Sequence, residues 1–219
     1  MKRRAVVLLS GGLDSSTCLY WALREGYACE AVSVLYGQRH ARELDSAKAV
    51  AKAAKVPWRP VELELPWLKA SSLVSKSMKL PDLPLSKIGA GGIPSTYVPA
   101  RNTVLLAVAA SLADATGASA IVTGANALDF SGYPDCRPAF HRAFERVLAE
   151  GTRSGDIRVL APLIRLDKEG IVRLALRLRV PLHRTWSCYK GGRRPCGRCD
   201  SCKLRAKGFQ KAGVLDPWR

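Results

Sequence analysis

Leu8-Leu9-Ser10-Gly11-Gly12-Leu13-Asp14-Ser15-Ser16 joins two segments of different period. Ahead of it, Ala5-Val6-Val7-Leu8-Leu9 is a short apolar run of the kind a buried parallel strand needs. After it, Thr17-Cys18-Leu19-Tyr20-Trp21-Ala22-Leu23 carries apolar residues at helical spacing. Strand, glycine-rich turn and helix in that order make an anion site. Gly11 and Gly12 let the backbone turn sharply and approach a ligand. The free N–H groups of the first helical turn and the helix dipole favour phosphate oxygens, and Ser10, Ser15 and Ser16 add hydroxyl donors. The spacing is neither the G-x-x-x-x-G-K-[ST] of a P-loop nor the G-x-G-x-x-G of a dinucleotide site. The plainer reading is a tight strand-to-helix turn with no ligand.

Cys29-Glu30-Ala31-Val32-Ser33-Val34-Leu35-Tyr36 reads as a second strand, ending at Gly37-Gln38-Arg39-His40. Residues 40–54 place Leu44, Ala47, Val50 and Ala51 on one helical face. Val61-Glu62-Leu63-Glu64-Leu65 alternates as a third strand. Residues 66–100 are rich in Pro, Ser and Gly and read as a long loop or mobile flap. Beyond it come a helix over Thr103–Ala115, a strand over Ala118–Thr123 and a helix over Phe140–Glu150. Arg158–Leu163 is a strand or extended segment, and Asp167–Leu178 a helix with Asp167 as N-cap. Strands alternating with helices predict an α/β fold: an open, mostly parallel sheet with helices on both faces. Ligands in such sheets sit at the carboxyl ends of strands, where Ser10 and Gly37 both fall.

The 219 residues suit one domain, or a domain with a small appendage, and 47% hydrophobic residues suffice for a core. The formal net charge of +17 invites nucleic acid as a partner. The positive residues are spread along the chain, however, and a basic surface equally suits ATP and a carboxylate substrate. Direct nucleic-acid binding is therefore the less favoured expectation. Met1-Lys2-Arg3-Arg4 and the apolar run after it mimic a secretory signal, but the run is too short. No segment approaches the roughly 20 apolar residues of a membrane helix, so no membrane association and a cytoplasmic location are expected.

In that compartment the seven cysteines are not a disulfide framework. Cys188, Cys196, Cys199 and Cys202 follow C-x7-C-x2-C-x2-C, which matches a tetrahedral structural Zn²⁺ site. An iron–sulfur cluster is the rival and zinc the favoured reading. Cys18, Cys29 and Cys136 are expected to pack as small apolar residues. The chain is accordingly divided into an α/β domain, residues 1–185, and a zinc-binding segment packed on it, residues 186–219.

Ser-Gly-Gly-x-Asp-Ser after a first strand resembles the signature loop of the ATP pyrophosphatases, whose fold is adenine nucleotide alpha hydrolase-like. Three more stretches narrow the resemblance: Tyr97-Val98-Pro99-Ala100-Arg101-Asn102-Thr103, the polar and aromatic run Gly124–Pro138, and Thr185-Trp186-Ser187-Cys188-Tyr189. With Tyr36-Gly37-Gln38-Arg39-His40 and the four cysteines, the chain resembles the 7-cyano-7-deazaguanine synthases of queuosine biosynthesis, from its first strand to Asp216-Pro217. It departs from them at Phe130, where tyrosine is expected, and at Ala139, where an acidic residue is expected.

The resemblance implies a ligase that turns 7-carboxy-7-deazaguanine and ammonia into the nitrile through an adenylated acid and an adenylated amide. It implies ATP, Mg²⁺ and structural Zn²⁺, and a homodimer. The ATP-binding stretch is Leu8, Leu9, Ser10, Gly11, Gly12, Leu13, Asp14, Ser15, Ser16, Thr17 and Cys18. The catalytic set is Ser10, Asp14, Ser15, Arg101 and Lys168. Substrate contacts fall to Arg101, Asn102, Asn126, Asp129, Tyr133, Asp135 and Arg137. Structural alternatives stand beside these roles: an ion pair for Arg101, a solvated surface position for Lys168, loop capping for Asp129 and Asp135, and packing for Tyr133. Arg39, His40 and Glu43 are expected near the site, with capping of the following helix an equal reading of His40, whereas His141 and His183 read as structural. The rival functions are a tRNA-modifying ATP pyrophosphatase, a zinc-dependent nucleic-acid module, and the same chemistry on another carboxylate.

Overall fold

The computed structural model describes residues 2–38, 42–89 and 92–218. Its strands are β1 (Arg4–Leu8), β2 (Ala28–Leu35), β3 (Trp58–Glu62), β4 (Ala120–Val122) and β5 (Arg158–Leu160). All pair in parallel, in the order β3-β2-β1-β4-β5. The helices are α1 (Leu13–Arg24), α2 (Arg42–Ala54), α3 (Arg101–Thr116), the single turn α4 (Asp129–Gly132), α5 (Pro138–Gly151), α6 (Lys168–Arg177) and α7 (Asp200–Ala212).

Successive side chains of β1 serve opposite faces of the sheet. Ala5, Val7 and Leu9 belong to a core shared with Leu19 of α1, Val50 of α2, Ile171 of α6 and Phe209 of α7. Val6 belongs to a second core, with Leu106 and Ala109 of α3 and Phe144 and Leu148 of α5. A strand covered on both faces must be apolar throughout, which accounts for the run Ala5–Leu9. The chain lays β2 and β3 to one side of β1 and then crosses to place β4 on the other. The crevice opened by that reversal lies at the carboxyl ends of β1 and β4, directly below the Ser10–Ser15 turn.

The third strand lies three residues earlier than its alternation predicts. Trp58 pairs with Ala31, and its indole N–H donates to Ser33 Oγ at 2.8 Å, so an aromatic anchor fixes the register. Pro60 is tolerated because β3 is an edge strand. The described residues among 66–100 are irregular apart from 3-10 turns at Pro66–Ala70 and Leu85–Lys87. The segment is nonetheless fastened: Ser71, Ser72 and Thr96 are buried, and Ser72 N donates to Ser95 O at 2.9 Å. Helix α7 has no counterpart in the sequence reading. It starts inside the cysteine cluster and carries Phe209 and Ala212 into the main core.

Candidate active site

Ser10, Gly11 and Gly12 turn the chain from β1 into α1. Gly11 has φ +81°, and a Cβ there would meet Ala47 N at 2.4 Å and Glu43 O at 2.5 Å. Only glycine lets the loop lie flat on the first turns of α2. Ser15 Oγ is 3.0 Å from Ser10 Oγ and accepts from Ser10 N at 3.2 Å, bracing the turn from inside. On the far side, the Trp186 N–H donates to Gly11 O at 2.8 Å.

Asp14, on the first turn of α1, anchors a polar cluster. Lys168 Nζ, from the first residue of α6, donates to Asp14 Oδ2 at 2.5 Å. Asn126 Nδ2 donates to the same oxygen at 3.1 Å and to Asp129 Oδ2 at 2.7 Å. Asn126 is fully buried and works as a spacer between two carboxylates. Asp14 Oδ1 is buried with no hydrogen-bond partner among the described residues. A buried carboxylate oxygen without a donor is costly, and a hard cation beside it satisfies it. Asp14 therefore fits a hard divalent cation.

The crevice has two lobes that share Ser10, Asp14, Ser15, Glu43, Arg101 and Tyr189. One, of about 280 Å³, runs over the ends of β1, β2 and β4, with Leu8, Leu9, Val32 and Val34 giving an apolar floor and Asn102, Asp129, Tyr133 and Cys136 the opposite wall. The other, of about 210 Å³, lies under the loop and takes in Lys168, Ser187, Ser201 and Arg205.

The charges in the crevice are tuned by burial and by each other. Burial pulls the Arg101 guanidinium down, but Tyr36, by charge and hydrogen bond, with Cys136 and Tyr133, holds it above the ordinary arginine value. Burial likewise opposes the Lys168 charge, and Asp14 and Asp129 outweigh it. Burial pushes Asp129 up to about 6, against the pull of Lys168, and Glu43 up to about 7, against the pull of Arg101. Carboxyls that titrate near neutrality inside a cleft are marks of a functional site.

Ser16, Thr17 and Cys18 are buried on the inner face of α1; Thr17 Oγ1 donates to Leu13 O at 2.7 Å. They line neither lobe. Asp135 is buried, and its Oδ2 accepts from Asn102 N at 2.8 Å, capping the start of α3. Ala100, at φ +50°, makes the sharp turn that presents Arg101 and Asn102. Arg137, just before α5, and Ala139, on its first turn, are exposed and line neither lobe. Arg39, His40 and the side chain of Phe130 lie outside the described residues. His141 is buried, and burial lowers it; His183 accepts from Arg184 Nε at 3.2 Å. Arg205 carries no sequence signal that sets it apart from the basic residues following the cysteines. Buried, it pairs with Asp216 through both nitrogens of its fork, at 2.8 and 3.0 Å.

Cys188, Cys196, Cys199 and Cys202 bring their sulfurs within 4.8 Å of one another. Backbone N–H groups of Lys190 and Cys196 donate to Cys188 Sγ at 3.4 and 3.3 Å. Cys188 is held well below the ordinary thiol range by hydrogen bonds from Cys199 and Cys202, while Cys199 is pushed up to about 12 and Cys202 higher still. Four sulfurs this close cannot all be thiolates without a cation among them. The cluster therefore fits a metal, and it leaves no position open for a substrate.

The family described as queuosine biosynthesis protein QueC matches residues 4–213. The chain belongs to the QueC family. Two relatives of this QueC-family chain carry the name 7-cyano-7-deazaguanine synthase. The protein of Anaeromyxobacter dehalogenans is 52% identical over 221 residues, covering 98% of this chain and 94% of that one. The protein of Thermoplasma acidophilum is 48% identical over 219 residues, covering 99% and 91%. An NMN synthetase from Francisella tularensis aligns over 98% of this chain and 79% of its own, with a TM-score of 0.52 and 16% identity, which is a likeness of fold.

Proposed function

We propose that this QueC-family chain is an ATP-dependent carbon–nitrogen ligase that converts 7-carboxy-7-deazaguanine and ammonia to 7-cyano-7-deazaguanine. The observation that carries this reading is the Ser10–Ser15 loop clamped by Lys168 on Asp14 at the switch point of a parallel sheet, with an apolar lobe beside it. Loop N–H groups and Lys168 hold the pyrophosphate of ATP, and the nucleoside lies along Leu8, Leu9, Val32 and Val34. Arg101 neutralises the substrate carboxylate as it meets the α-phosphate. Asp129 reads the guanine-like edge, and Tyr133 packs on the ring. The acid is adenylated and pyrophosphate leaves. Ammonia displaces AMP to give the amide. A second ATP activates the amide oxygen, and loss of AMP leaves the nitrile. The protein's share is positioning and charge stabilisation. Bound at Asp14, Mg²⁺ supplies neutralisation of phosphate charge.

Zn²⁺ is the ion proposed for the cysteines. At Zn–S distances of about 2.3 Å a tetrahedral ion sets its sulfurs about 3.8 Å apart, which suits a cluster within 4.8 Å; an iron–sulfur cage spreads its cysteines wider. No helix is long and apolar enough among the described residues to cross a membrane, in keeping with a cytoplasmic enzyme, and a homodimer is the proposed assembly. A small acceptor is preferred to tRNA because the larger lobe, of about 280 Å³, is of small-molecule size.

The test is a product assay. Metal-replete protein is given ATP, Mg²⁺, ammonium and 7-carboxy-7-deazaguanine, and products are followed by mass spectrometry. Nitrile with AMP and pyrophosphate is expected. AMP without nitrile points to another acceptor, and no ATP consumption overturns the reading.

A further inference from the structure

Three carboxylates line the crevice among the described residues: Asp14, Glu43 and Asp129. Two are already committed. Asp14 Oδ2 accepts from Lys168 and Asn126, and Asp129 Oδ2 accepts from the side chain and the backbone N–H of Asn126. Glu43 differs. It sits on the first turn of α2, where the two lobes meet. It is partly exposed, and what it exposes faces the cavity. Among the described residues no side chain hydrogen-bonds or ion-pairs with it; burial and Cys188 oppose its charge, and Arg101 favours it. Tyr189 also lines both lobes and Tyr36 lines the larger. A carboxylate uncommitted among the described residues, in a cavity that also presents aromatic rings, is a site for a small cation bearing several N–H donors.

We infer that Glu43 is the subsite that receives the ammonium ion. This rests on the ligase reading above, which requires a nitrogen donor and leaves it without a partner in the site. Its place at the junction is where the acyl carbon of the adenylate meets the phosphate loop. Ammonium held there gives one proton to the Glu43 carboxylate. The freed ammonia attacks the acyl carbon, the C–N bond forms, and the C–O bond to the phosphate breaks with its electron pair leaving on AMP. The second proton passes from the new amide nitrogen to solvent.

The test separates nitrogen capture from acid activation. Activation is read as carboxylate-dependent exchange of labelled pyrophosphate into ATP without ammonium. Nitrogen capture is read as the ammonium concentration that half-saturates amide and nitrile formation. In Glu43→Gln, half-saturating ammonium is expected to rise at least about tenfold, with a far smaller loss of exchange. Glu43→Asp is expected to fall between the two. Hydroxylamine, already neutral at neutral pH, is expected to recover most of the lost turnover as the hydroxamate. An unchanged ammonium requirement in Glu43→Gln, an exchange loss as large as the turnover loss, or an equal deficit with hydroxylamine would overturn the assignment. Absence of exchange in the unaltered protein would overturn the ligase reading itself, and the subsite with it.

Discussion

Lys168 and Asp14 come from helices far apart in sequence and meet at 2.5 Å in the crevice. The lysine stays charged because two carboxylates outweigh its burial. Replacing it with methionine removes the charge and keeps the stem. Turnover is expected to fall by about 10²-fold or more, as for other donors aimed at developing charge, with pyrophosphate release as the measurement. Asp129 makes a different prediction, one of pH. Its folded-state value near 6 lies above the ordinary 3.8, so the native state keeps its proton where the unfolded chain has lost it. Wild-type stability therefore declines from this group as pH rises from about 4 to about 6. Asp129→Asn escapes that decline. Its thermal midpoint is expected to exceed wild type above pH 6 by the equivalent of roughly 1–2 kcal/mol, with the gap closing by pH 4, while activity falls. A gap of the same size at all pH values would count against burial as the cause. At this scale the sequence disclosed residue types but not their partners. Asp129 and Asp135 read alike; one lines the cavity, and the other caps α3 from beneath.

Helices and strands were legible where one constraint ruled. The apolar run of β1 and the single apolar stripe of α2 announce their burial directly. The third strand misled because Leu63 and Leu65 continue an alternation that the sheet does not use, Trp58 having set the register against Ser33. Helix α7 was illegible because its first turn is metal-binding sequence and its interior is basic; its buried face mixes Asp200, Cys202, Arg205 and Gly208 with the apolar Phe209 and Ala212. Contacts between elements carry two predictions. Gly11→Ala drives a Cβ against Ala47 N at 2.4 Å and forces φ +81° on an alanine. It should lift the loop from α2, cost about 1–3 kcal/mol in urea unfolding, and abolish ATP turnover. Asp216→Ala leaves the Arg205 guanidinium buried without its carboxylate. A loss of about 3 kcal/mol is expected in the same experiment, although Asp216 touches neither lobe.

Across the whole molecule, the cysteine segment is more than an appendage. Asp200 and Lys203, interleaved with the ligands of the cluster, hold the long irregular segment: Leu83 N donates to Asp200 Oδ1 at 2.9 Å, and Lys203 Nζ donates to Leu83 O at 2.7 Å. Two residues before Cys188, the Trp186 N–H grips the Ser10–Ser15 turn. Stripping the metal with a chelator is therefore expected to lower the thermal midpoint and to raise amide exchange at Leu83 and Trp186 together, read by hydrogen–deuterium exchange and mass spectrometry. Protection that persists at both sites after metal loss would show the cluster to be energetically separate. The cysteine spacing was plain in the sequence; what it holds was not, because a hydrogen bond between residues 83 and 200 leaves no local pattern.

The bond between Gly11 O and Trp186 N also bears on the order in which the chain is made. The turn is synthesised well before the segment that fastens it. Until Trp186 is made, the loop lacks this brace. Folding of this site is a closing event, in which a later segment completes what an earlier one laid down.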